Sequence, residues 1–369
     1  MTKDINKLET NLYMDTEIIP MVKHSADIFL YRSTILFGST TSGKTVLIRH
    51  ILHLLKNRIP QIMVINPTNK LNNAYSELVP KQLIYDTITP ELLQIIYEKQ
   101  TMARQMYDKV QKIEPLYELF KKCASPTEFT HYKQMSKLYK ETKDNLNNRV
   151  KHIIEKKSQL TQLKEEHQKT IRGFFKQTIR KNKKILESSN KNHTITKDEQ
   201  QIIKYLDFNP NLIIIFDDCA ASFSEWGKSN GLRELFFNGR HFYVTFIMTF
   251  QSDMILTPDL RINIHNSIFT TPQAALSFFE NKKNGINKSE QKKYRKLVDE
   301  VFKSQDGIPN YKKLCFFKDD PNYKIQYMLA NLYDEYKFGD KALWDFCEQI
   351  KKNDEDIDTN NSFYDSFNN

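Results

Sequence analysis

The chain has 369 residues, with 55 Lys and Arg against 45 Asp and Glu and a net charge of +10. That length holds a full core in two or three units, and the basic balance favours an anionic partner, with nucleic acid the first candidate. The 4 cysteines contain no C-x-x-C pair, which argues against a disulfide frame or zinc site, and no apolar run approaches the roughly 20 residues of a membrane span.

Without a secretory apolar stretch, the expectation is a soluble intracellular protein, with nuclear, cytoplasmic and virion placements open. In chain order, the first strong signal is an apolar strand over 34–37. It runs directly into Gly38, Ser39, Thr40, Thr41, Ser42, Gly43, Lys44 and Thr45. This is a complete G-x-x-x-x-G-K-[ST] phosphate loop. A helical pattern follows over 46–52, so backbone N–H groups and a helix N-terminus can cradle a triphosphate. Lys44 would reach the β- and γ-phosphates, and the Thr45 hydroxyl would take one Mg²⁺ position; the implied ligands are ATP and Mg²⁺. A second strand, 62–65, ends at an Asn66-Pro67-Thr68-Asn69 turn. Residues 1–90 therefore read as the N-terminal part of an ATPase core.

Residues 91–200 change character and become rich in Lys, Glu and Gln. Apolar residues recur in steps of three and four from Leu92 to Phe120, and again from Tyr132 to Leu163. The two series predict an antiparallel, coiled-coil-like helical hairpin turning at 123–127, with Ser125 or Thr127 as N-cap and Pro115 as a mark against an unbroken first arm. The same spacing also fits a packed helical subdomain. A basic stretch from Lys169 to Lys184 encloses Phe174 and Phe175, a candidate DNA contact or a solvated helix end.

The C-terminal part of the core is expected over 201–345. An apolar strand over 211–216 is closed by Asp217 and Asp218. Continuous apolar sequence is the mark of a strand buried on both faces. At its end, Asp217 would hold Mg²⁺ and Asp218 would polarise the attacking water as general base. A further buried strand over 241–250 leads to Gln251, the candidate γ-phosphate sensor. Arg240, and more weakly Arg261, are candidates to reach a neighbouring subunit's γ-phosphate as an arginine finger. Residues 346–369, most acidic and polar from 353, read as a disordered tail.

Taken in order, the phosphate loop, the Asp217-Asp218 pair, Asn238-Gly239-Arg240-His241, Gln251-Ser252 and Leu260-Arg261 resemble the poxvirus-type genome-packaging ATPases of large double-stranded DNA viruses, a branch of the FtsK–HerA ring translocases. The resemblance covers 30–90 and 205–275. It implies an α/β fold of the ASCE or RecA-like P-loop NTPase type, a parallel sheet flanked by helices, with 91–200 as a large helical insertion. It places the strand over 241–250 between the phosphate-loop strand and the Asp-Asp strand. The implied activity is ATP-driven translocation of double-stranded DNA by a homo-oligomeric ring that fills capsids. DNA is gripped through its phosphates without regard to sequence, with a capsid or membrane-protein partner, in host cytoplasm or the virion. Two other readings compete. One is a coiled-coil P-loop ATPase of DNA maintenance or repair, which needs a glycine-containing signature loop that 174–226 lacks. The other is a non-enzymatic virion scaffold with a relic nucleotide fold.

Overall fold

The computed structural model describes residues 12–14, 17–150, 152–188, 195–303 and 310–351. They divide into two compact units, 1–101 with 210–369 and 102–209.

The first unit is built on a sheet. A short antiparallel pair, β1 (Leu12–Met14) and β2 (Glu17–Ile19), precedes it. The main sheet holds eight strands among the described residues: β3 (Ser33–Phe37), β4 (Gln61–Ile65), β5 (Ile84–Tyr85), β6 (Leu212–Phe216), β7 (Val244–Phe250), β8 (Asn266–Phe269), β9 (Lys313–Phe317) and β10 (Ile325–Met328). Their order across the sheet is β10-β9-β8-β3-β7-β6-β4-β5. Strands β8 through β5 in that order are parallel, while β9 runs antiparallel to both β8 and β10. β7 therefore lies between the loop-bearing β3 and the acid-bearing β6, as the resemblance implies.

Parallel strands covered on both faces are apolar at successive positions, and two cores result. On one face Leu36, Ile213, Ile215 and Ile247 meet Leu47, Ile48, Ile51, Leu52 and Leu55 of α1 (Lys44–Leu55). On the other, Phe37, Phe216, Phe246 and Phe250 pack with Trp226, Phe236 and Phe279. The period-two alternation of strand side chains thus assigns odd positions of β6 and β7 to the α1 face.

Two stretches of this unit differ in secondary structure from the sequence reading. His241 is not in the strand: it closes a 3₁₀ turn, Gly239–His241, and Tyr243 takes a left-handed φ of 59° before β7 begins. Residues 346–351, expected as disordered, continue a helix over 341–351, and Cys347 is buried with its carbonyl accepting from Gln82 Nε2 at 3.1 Å. The rest of that segment lies outside the described residues.

The helical unit has its own core of Leu116, Leu119, Phe120, Ile171, Phe175, Ile179, Ile202 and Ile203. The first series, in which Pro115 counted against an unbroken helix, forms two helices, Pro90–Gln111 and Ile113–Cys123, separated at extended Lys112. Pro115 falls in the first turn of the second, where its missing N–H has no intrahelical partner to lose. The hairpin is formed by Pro126–Arg149 and Ile153–Lys181, and not by the series on either side of 123–127. The pairs Tyr132–Phe175 and Tyr139–His167 set its antiparallel register. The turn at 123–126 carries a capping box of Ser125 and Glu128. Phe175 is 1% exposed, and Phe174 packs on Phe120. The aromatic residues of the basic stretch are therefore core, and Arg180 pairs with Asp207.

Candidate functional site

Parallel strands gather their C-terminal ends at one edge, and the loop from β3 opens there. Gly38 N–H donates to the Phe250 carbonyl at 3.1 Å, so the loop leaves β3 beside the end of β7. A Cβ on Gly38 would come within 1.9 Å of Thr270 Oγ1 and 2.9 Å of Ser42 Oγ, so only glycine fits. Gly43 precedes α1 at φ 87°, the left-handed region that glycine enters at no steric cost. Thr41, a β-branched residue, takes φ 63°, a strained value held by the surrounding loop. Thr270, at the end of β8, ties the loop down: its Oγ1 lies 2.5 Å from Ser42 Oγ and 3.2 Å from the Phe37 carbonyl.

Lys44 Nζ donates to the carbonyls of Gly38 at 2.8 Å and Ser39 at 2.7 Å. Burial lowers its pKa, and Asp217 and Asp218 oppose that shift by attracting the ammonium. The structure thus brings Lys44 and both acids into one electrostatic group.

Asp217 follows β6 and, being odd-numbered, belongs on the α1 face with Thr249. Thr249 Oγ1 donates to Asp217 Oδ1 at 2.8 Å, and Tyr75 Oη donates to Oδ2 at 2.8 Å. Asp217 is 5% exposed. Burial raises its pKa, against the two hydroxyl donors and Lys44. Tyr75 is itself pushed far above the ordinary tyrosine range, by burial first and then by Asp217. Asp218 departs from strand geometry. Its φ of 60° turns it out of the sheet, its N–H donates to Thr249 Oγ1 at 2.9 Å, and its side chain is exposed. One acid is therefore buried and held from two sides, while its neighbour faces solvent.

Gln251 is exposed immediately after β7, one residue from the carbonyl that Gly38 contacts. Thr45 opens α1 beside Lys44. Arg240 is elsewhere. It is exposed in the turn before β7, at the opposite edge of the sheet from the loop. The seven residues of β7 separate the two edges by about 20 Å. Its charge acts there on His265, together with Arg32 and Lys318. Arg261 is a correction to the sequence reading. Its side chain is 5% exposed and faces Asp253 at 3.5 Å, a buried pair that leaves no finger to extend.

Tyr75, Thr249, Thr270 and Lys313 escaped the sequence reading. Thr249 was within reach, because aligning the ends of two parallel apolar strands sets it beside Asp217. The other three come from loops and strands with no local motif. Lys313 Nζ donates to the Ser42 carbonyl at 3.0 Å.

The residues present fit a nucleoside polyphosphate with a divalent cation. The Gly38 cradle admits no side chain, the Lys44 ammonium rests on loop carbonyls, and a buried carboxylate with spare lone pairs adjoins them. Sheet order and site together define a P-loop NTPase fold of the ASCE type.

No family model matches the chain. It is 27% identical over 367 residues to the uncharacterized protein B354L of African swine fever virus (isolate Tick/Malawi/Lil 20-1/1983), covering 95% of this chain and 97% of that one. It is 39% identical over 69 residues to the uncharacterized protein L437 of Acanthamoeba polyphaga mimivirus, 19% of this chain and 24% of that one. Among solved structures, the genome packaging NTPase B204 of Sulfolobus turreted icosahedral virus 2 with ATP-gammaS aligns at a TM-score of 0.37 and 10% identity, over 83% of this chain and 98% of that one. The plasmid coupling protein TrwB with ADP and Mg²⁺ aligns at 0.35 and 12%, over 86% and 90%. Among the described residues no helix is long and apolar enough to cross a membrane.

Proposed function

We propose that this protein is an ATP-hydrolysing motor that moves double-stranded DNA, acting as a homo-oligomeric ring in the packaging of a viral genome. The observation that carries the proposal is the strand order: the phosphate loop on β3 and the acids after β6 flank β7, which ends in Thr249, Phe250 and Gln251. This order puts a polar strand end between a triphosphate site and a carboxylate pair, the arrangement in which one motion can report γ-phosphate loss. The viral relative that matches along nearly the full chain supports a viral setting. Placement in host cytoplasm or the virion, and a capsid or membrane-protein partner there, belong to the same proposal.

Each residue has a definable task. Loop N–H groups and Lys44 bind and orient the phosphates. Asp217 and Thr45 hold Mg²⁺, which when bound supplies charge neutralisation at the transferred phosphoryl group. Asp218, exposed beside that group, accepts a proton from the attacking water. Thr249 holds both acids in register, since its hydroxyl donates to the Asp217 carboxylate and accepts from Asp218 N–H. Gln251 senses the terminal phosphate. Arg240, on the far edge, can serve only a neighbouring subunit.

Phosphate release from ATP, with and without duplex DNA, tests the reading. The expected result is hydrolysis stimulated by DNA of any sequence, with DNA affinity falling steeply as salt rises. Absence of hydrolysis under all these conditions rejects the motor, and a flat salt response rejects phosphate-mediated DNA contact.

A further inference from the structure

Lys313 opens β9, the antiparallel strand beside β8, in a register that pairs Phe269 with Leu314. This brings it next to Thr270 and so to the phosphate loop. It is 8% exposed, and its Nζ donates to the Ser42 carbonyl at 3.0 Å. A Cβ added to Gly43 would sit 3.5 Å from that nitrogen. Burial lowers the pKa of Lys313, and no neighbouring charge contributes to the shift. Among the described residues it makes no ion pair with a carboxylate.

A buried ammonium has three donors, and one carbonyl satisfies one of them. Burying a cation without an anion is costly, and proteins avoid it unless a partner arrives. The nearest place for an anion is the phosphate loop itself. The sheet order also assigns a side. Strands β8 and β9 lie on one side of the loop-bearing β3, and β7 and the acid-bearing β6 lie on the other. Lys313 therefore reaches the loop from the β8–β9 flank, while Lys44 is drawn toward Asp217 and Asp218. On the nucleotide reading above, the acid side would take the terminal phosphoryl group, and the β8–β9 flank would face the remainder of the phosphate chain.

We infer that Lys313 is a second phosphate-binding lysine of this site, contacting the diphosphate portion of a bound nucleotide from the flank opposite the acids. The inference rests on the nucleotide reading above and deepens it. A contact present in both ATP and ADP is uniform binding, which acts on affinity and KM more than on kcat. Lys313 and Lys44 therefore divide the phosphate chain between them.

The test uses the full chain and the variants Lys313→Gln, Lys313→Arg and Lys44→Ala. Dissociation constants for ATP, ADP and inorganic pyrophosphate are measured by calorimetry, beside KM, kcat and Tm. Gln keeps a donor for the Ser42 carbonyl but removes the charge, so it separates phosphate binding from mere support of the loop. A hydrogen bond to a charged group is worth about 1.5–3 kcal/mol, so Lys313→Gln is expected to weaken ATP, ADP and pyrophosphate alike by about 10- to 100-fold. KM should rise in step, kcat should change less than KM, and Lys313→Arg should restore most of the binding. Unchanged binding of all three by a folded Lys313→Gln protein overturns the inference. So does weakening of ATP alone with a matching fall in kcat, because that places Lys313 at the terminal phosphate. If the wild-type chain binds none of the three, it is the nucleotide reading that fails. If wild type binds and only Lys44→Ala loses binding, the nucleotide reading stands and the role of Lys313 falls.

Discussion

The two compact units bury different kinds of side chain. The helical unit's buried positions are apolar almost throughout, with Thr178 as an exception. The α/β unit buries Asp217, Thr249, His50, Asp253, Arg261 and Lys313. Buried polar groups are costly unless partnered, so their concentration in one unit marks where the fold has been shaped by chemistry as well as by stability. Substitutions in the α/β site should change activity at nearly constant Tm. Substitutions in the helical core should change Tm first.

The largest expected effect falls on hydrolysis. On the proposed function, Lys44→Ala should lower kcat by about 10²–10³-fold, the cost of removing one pre-positioned donor to developing charge. Asp218→Asn should lower it by about 10²–10⁴-fold, the span of general base catalysis. Both residues are at least partly exposed, so differential scanning should show little change in Tm. A large drop in Tm for either would break the contrast between the units.

Phe120→Ala tests the other side. Phe120 is fully buried, with Phe175 at 4.7 Å between ring centroids. The cavity left should cost about 3–5 kcal/mol, read as an early unfolding transition in chemical denaturation. A cost below about 1 kcal/mol would mean that the helical unit repacks freely, which a jigsaw-packed core does not allow.

His50 sharpens the contrast by pH. It is buried on α1, and its Nδ1 accepts from Asn331 N–H at 3.2 Å and lies 3.0 Å from Tyr333 Oη. The ring proton therefore sits on Nε2, 3.0 Å from His24 Nδ1. Burial, then His24 and His53, lower its pKa from the ordinary 6.5 to about 4. Between these values the unfolded chain takes up a proton that the native state refuses. The stability that the neutral ring allows is complete above pH 6.5 and is lost as pH falls toward 4, by about 3 kcal/mol in all. Denaturation at pH 7 and pH 5 should show the loss, and His50→Leu should shrink it. An unchanged pH slope in that variant would assign the loss to other groups.

The smallest expected effect is at the Ser125 capping box. Ser125→Ala should cost about 1 kcal/mol and leave kcat and KM unaltered, as a purely structural cap in the helical unit should. A change in kinetics would tie that unit to the reaction cycle.

How much of this was legible in advance depends on where the partners lie. The loop over 38–45, the run ending at Asp217, and β7 are each continuous in sequence, and the resemblance supplied their order. The paired helices were legible as period, and Pro115 counted against an unbroken first arm, but the positions of the breaks were not legible. Extended Lys112, and extended Val150 and His152, interrupt a stripe whose apolar spacing continues beyond them. Arg261 read as a candidate finger because nothing local reveals that Asp253 meets it in the interior.

By itself the sequence determined the turn that only glycine can make, the strands that only a two-faced sheet can bury, and the acids at their ends. These are properties of contiguous residues, fixed by backbone sterics and hydrophobic period. Only the tertiary structure decided which side chains complete the site. Tyr75 on Asp217, Thr270 beneath Gly38 and Lys313 against Ser42 come from distant segments, brought in by strand order and register. A hydrogen bond has a range of about 3 Å and no memory of sequence separation, so its partner is named only once the chain is folded.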